Sequence, residues 1–76
     1  MLEALRITEK TFYKYIQLPL RENENFLDLE AAKDHYIVKN TRDSSDWSCV
    51  SKEHFDENYE FFVSEHPTQY RMVLAR

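Results

Sequence analysis

Residues 34–60 run through a strand pattern, a polar turn, a second strand pattern and a capped helix pattern, and that order leaves a short chain few ways to fold. Tyr36-Ile37-Val38-Lys39 is rich in the aromatic and β-branched residues that suit a pleated sheet. Thr41 to Asp46 has the composition of a turn. Trp47 to Val50 then returns, which makes an antiparallel hairpin. Ser51 stands at the N-cap of a helix, with Val50 before it and Phe55 four residues after it. That spacing is a hydrophobic staple, which sets the angle at which a strand enters a helix. Glu53 lies in the first turn, where the positive end of the helix dipole favours an acid. Phe55, Tyr59 and Phe62 recur at helical spacing and are expected to face the core. Asp56, Glu57 and Glu60 are left for an outer, acidic face.

The flanking segments repeat this grammar. Leu2 to Ile7 alternates as a short strand, with Leu2 and Ala4 on one side and Glu3, Leu5 and Ile7 on the other. Thr8 is placed to cap a helix, and Ile7 and Phe12 reproduce the staple spacing of Val50 and Phe55. Phe12, Tyr15 and Ile16 share one face of that helix, and Pro19 ends it near Leu18. Phe26, Leu27 and Leu29 read as a short strand or an irregular apolar anchor. Gln69 to Ala75 alternates again and is expected to form a strand at a sheet edge.

The expected fold is therefore a single α+β domain over residues 1–76. A small, mostly antiparallel sheet takes residues about 2–7, 36–40, 47–50 and 70–75, with helices at about 9–18 and 52–62 packed on it. A chain of 76 residues buries roughly 60% of the surface it exposes when unfolded, enough for one thin core. Glycine is absent, where average usage of about 7% would supply about five. Glycine-rich phosphate loops are thereby excluded, and positive φ must fall on Asn or Asp, such as Asn23, Asn25, Asn40 or Asp43.

The net charge of -4 is unevenly spread: residues 21–66 hold twelve acids against five bases. Such a middle repels a phosphate backbone and suits a basic partner surface instead. One cysteine allows no internal disulfide, and no stretch approaches the ~20 apolar residues of a membrane span. A cytoplasmic location is expected.

The strand Leu2-Glu3-Ala4-Leu5-Arg6-Ile7, then Tyr36-Ile37-Val38-Lys39, then Val50-Ser51 leading to Phe55 and Tyr59-Glu60, resembles a group of small bacteriophage-encoded proteins. That group carries a Gly-Asp-Tyr-Ile-Val type strand, a hairpin, and a helix of the Phe-x-x-x-Tyr-Glu type. The resemblance covers roughly residues 2–62, with Lys33-Asp34-His35 in place of the Gly-Asp step. It implies a fold and a phage origin, hence a host-cell cytoplasm, and brings no shared activity.

Candidate sites are few. Cys49 reads as a half-buried small hydrophobe rather than a nucleophile. His35, His54 and His66 have irregular spacing for metal ligation and read as surface residues. No catalytic residue, cofactor or metal is expected, and the chain is not read as an enzyme. Trp47 and Tyr36 are expected to pair across adjacent strands. The leading expectation is an accessory protein that inhibits or modulates a host or phage protein with a basic surface. Its contact residues are expected to be Asp43, Asp46, Glu53, Asp56, Glu57 and Glu60, with Tyr13 as an exposed aromatic. The alternative is a nucleic-acid-related module, if Lys10, Tyr13, Lys14, Arg71 and Arg76 converge on one basic face. A small enzyme is a third reading, which needs a concave site around Cys49 or a histidine. The C-terminal strand, as an edge, offers a route to a homodimer.

Overall fold

A computed structural model of the chain describes residues 2–20, 25–40, 47–62 and 66–76. Among them are five strands, β1 (Leu2–Arg6), β2 (Tyr36–Asn40), β3 (Trp47–Val50), β4 (Tyr59–Phe61) and β5 (Arg71–Ala75). Three short helices accompany them: α1 (Phe12–Ile16), α2 (Leu29–Ala32) and α3 (Lys52–Asn58). The strands form one antiparallel sheet in the order β3-β2-β1-β5-β4. The α+β fold, the hairpin strands and the first and last strands stand as the sequence predicts.

β1 is central because it is apolar on both faces. Ala4 and Leu5, neighbours that point to opposite sides, are both buried. Leu5 pairs with Ile37, and together with Ile7 and Trp47 they build a core on one face. Tyr15 of α1 and Ala32 of α2 close that face. Ala4 pairs with Val38, and with Tyr36 and Val73 they build a second core on the other face, closed by Phe55 of α3. The sheet is thus a middle layer between α1 and α2 on one side and α3 on the other.

Several expectations are corrected. Helix α1 begins at Phe12 instead of residue 9, because Thr11 ties the chain back toward the sheet. Its buried Oγ1 donates to Arg6 O at 2.7 Å and accepts from Thr8 N at 2.7 Å. Tyr15 faces the core as expected, but Ile16 is 47% exposed. The Tyr15 hydroxyl accepts from Leu27 N at 2.8 Å, and its ring meets Phe26 edge-on, so residues 26–27 are the irregular anchor and not a strand. α2 is capped by Asp28, whose carboxylate accepts from Ala31 N. Positive φ falls on Asp34, at 66°, where Asp34 N and His35 O bond Ile7 and lead α2 into β2.

The second helix stops at Asn58 instead of residue 62. From Tyr59 the chain is extended and pairs with β5, so its period changes from helical to alternating. Phe61 turns inward while Phe62, expected in the core, is 63% exposed. β5 is consequently no edge: Leu2 to Ala4 of β1 pair on one flank and β4 on the other, which removes the expected homodimer route through the C-terminal strand. Tyr36 and Trp47 do not pair. Tyr36 lies opposite Val50 and Lys39 opposite Trp47, which sends the two rings to opposite faces. The Thr41–Asp46 turn lies outside the described residues.

Candidate functional site

Helix α3 is built by local chemistry. Ser51 has extended backbone dihedrals, and its Oγ accepts from His54 N at 3.2 Å, satisfying one otherwise unpaired donor of the first turn. Phe55 points into the sheet and is 2% exposed. Glu53, Asp56 and Glu57 are spaced i, i+3 and i+4 and are all exposed on the outer side. Lys52 Nζ lies 3.1 Å from Asp56 Oδ2 across one turn, both side chains open to solvent.

The expected acidic row divides where the helix ends. Glu60 belongs to β4, and strand alternation sends its side chain to the sheet face opposite Tyr59 and Phe61. Glu53, Asp56 and Glu57 remain together. Asp43 and Asp46 lie outside the described residues.

Beneath α3 lies an aromatic cluster. Tyr36 and Phe55 stack at 3.8 Å between centroids with 9° between planes. Tyr59 and Phe61 stand 5.3 and 5.2 Å from Phe55 and remain half-buried. Between α3 and β4 these rings line a recess of about 450 Å³, with Asp56 and Arg76 also in its lining. Arg76 is anchored there: its N–H donates to Asn58 O at 2.7 Å and its Nε to Tyr59 O at 3.1 Å. Sequence reading missed this recess because it missed β4. A signal was present. Tyr59 to Val63 is rich in strand-forming residues, and Asn58 is a poor helix former whose Nδ2 donates to His54 O at 2.9 Å.

Tyr13 is 55% exposed, but α1 sits across the sheet from α3, so Tyr13 does not join the acidic face. Its neighbourhood includes Tyr70 and Lys14. Burial, then the Glu3 carboxylate, then Tyr13 itself push the Tyr70 hydroxyl above its usual pKa. Lys14 Nζ lies 5.4 Å from the centre of the Tyr70 ring and donates to Thr68 O at 3.4 Å. Trp47 meets Tyr70 at 5.2 Å, and Lys39 Nζ lies over the Trp47 ring.

The basic residues of the alternative reading do not converge. Lys14 stands by Tyr70, Arg71 shares the opposite sheet face with Ala4 and Val73, and Arg76 stands by Tyr59. Lys10 instead lines a second recess of about 520 Å³ with Arg6 and Lys33, and Glu9 and Asp34 line it too. Cys49 is partly buried against the first core. His54 and His66 are exposed and His35 half-buried, each beside a local hydrogen-bonding partner. Among the described residues, no group of three His, Cys, Asp or Glu is placed to hold a metal ion, and no helix is long and apolar enough to cross a membrane. Comparison with protein-family models, curated proteins and solved structures finds no match to this chain.

Proposed function

We propose that this chain is a phage-type accessory protein that binds a basic surface on a host or phage protein and thereby inhibits or modulates it. The proposal includes action in the host cytoplasm and no catalytic step of its own. The observation that carries it is the outer face of α3. Glu53, Asp56 and Glu57 stand side by side in solvent, on a helix whose other face is locked to the sheet by Phe55. A rigid, like-charged face costs little ordering on binding and steers a partner of opposite charge. Of the three acids, Asp56 alone has a described ion-pair partner, Lys52. Steric occupancy of the partner's basic surface is then sufficient to block it.

The test is the double substitution Glu53→Gln, Glu57→Gln, which keeps helix-forming residues and removes two charges. Capture of the partner by the tagged protein is expected to weaken about tenfold or more at low salt, and wild-type capture to fade as salt shortens the Debye length to about 10 Å at 0.1 M. Undiminished capture by the double variant, with an unchanged circular dichroism spectrum, contradicts the proposal.

A further inference from the structure

We infer that the recess between α3 and β4 receives an arginine side chain of the partner, and that Arg76 is the group this side chain displaces. The inference rests on the reading of α3 as the docking face and gives that face an anchor point. The recess holds about 450 Å³, within the range of small-molecule pockets and therefore roomy enough for one side chain. Tyr59 and Phe61 bring half-buried rings to it, Asp56 brings a carboxylate from the docking face, where solvent-exposed Lys52 also pairs with it, and Glu60 completes the lining. Aromatic rings beside a carboxylate favour a cation, through the negative ring faces and direct charge. A planar guanidinium satisfies both partners at once: it stacks on a ring while its fork of N–H groups donates in its own plane. A compact, strongly hydrated ammonium makes less of flat walls.

Arg76 is an independent indication. It lines the recess and gives its Nε to Tyr59 O, so a guanidinium group is already accommodated against this wall. Tyr59 lies in the edge strand β4, and no strand pairs with the side of β4 away from β5 among the described residues. An incoming arginine therefore reaches the same carbonyl from the open side of the sheet. The second recess is a poorer candidate for a cation, because Arg6, Lys10 and Lys33 there outnumber Glu9 and Asp34, and no aromatic ring lines it among the described residues.

The experiment is an amide NMR titration of the labelled chain with N-acetyl-arginine amide, and with the corresponding lysine and norleucine compounds. The arginine compound is expected to shift the amides of Phe55 to Phe61, the lysine compound less, and norleucine not at all. Arg76→Ala is expected to tighten arginine binding roughly threefold to tenfold by vacating the wall, and Asp56→Asn to weaken it by a similar factor. Equal shifts from norleucine, or no gain in affinity in Arg76→Ala, overturns the inference; the same spectra show whether each variant is folded. If the Glu53→Gln, Glu57→Gln chain loses its partner while no arginine shifts appear, the docking face stands and the anchor falls. If arginine shifts the recess amides while that chain keeps its partner, the anchor stands and the docking face falls.

Discussion

At Val50-Ser51 the chain turns directly into α3, whereas at Ile7-Thr8 it passes through a turn before α1 begins at Phe12. The two junctions share an apolar residue, a hydroxyl residue and a phenylalanine four positions on. At Ser51 the hydroxyl accepts from the backbone of its own helix. At Thr8 it lies 3.2 Å from Thr11 Oγ1, and the backbone oxygen of Thr8 takes the N–H groups of Thr11 and Phe12. Thr11 then bonds back to Arg6, in β1. A cap and staple spacing is therefore permissive: the helix starts there only when no nearby group offers the backbone a competing bond. The start of α3 is set by its own Ser51 cap, although Phe55 packing on Tyr36 and Val73 holds the helix to the sheet. α1 instead depends on residues that arrive later in the chain, including Leu27, Thr68 and Tyr70.

That contrast can be broken experimentally. The largest effect is expected from Thr11→Val, which keeps the shape and strips the hydroxyl from a residue 1% exposed. Thr8 N and Arg6 O each lose a partner, and stability measured by urea unfolding should fall by about 2 kcal/mol. Ser51→Ala removes one exposed cap bond and should cost about 1 kcal/mol. A Ser51→Ala loss equal to or greater than that of Thr11→Val would reverse the ranking.

The smallest effect concerns alkaline pH on the α1 side. Tyr70 has its hydroxyl pKa raised above 10.0 in the fold, by burial first and then by Glu3 and Tyr13. The folded state thus keeps this proton longer than the unfolded chain does. The contribution is fully present below pH 10 and declines as pH rises from there through the raised value. Tyr70→Phe should flatten the loss of stability above that pH, and absorbance titration of the tyrosinates should lose one component with a raised pKa. An unchanged alkaline profile would remove Tyr70 from the account of the α1 side.

Much of the fold was legible because spacing inside an element decides which side chains share a face. Leu2 to Arg6, Tyr36 to Asn40 and Trp47 to Val50 are strands in the structure as in the sequence reading, and Phe55 is buried as its helical position requires. The acidic side of α3 was legible for the same reason, as far as Glu57. Glu60 was misplaced because helix and strand patterns both fit Asn58 to Phe62. Phe55, Tyr59 and Phe62 match a helical stripe, while Tyr59 and Phe61 match a strand, and β5 arbitrates between them by pairing with the second. Arg76 was legible only as one of a set of basic residues, and its place in the recess was not, because its partner, Tyr59 O, lies on the neighbouring strand.

By itself, then, the sequence determined the elements near Ser51, the positions of the strands of the hairpin and of β1, and the outward acids of α3 as far as Glu57. Each follows from backbone geometry over a few residues. Tertiary structure decided the end of α3, the interior place of β5, the opposite faces of Tyr36 and Trp47, and the recess that Arg76 shares with Tyr59 and Phe61. Those depend on pairing between distant segments, where backbone hydrogen bonds across the sheet override a local preference that two patterns satisfy equally.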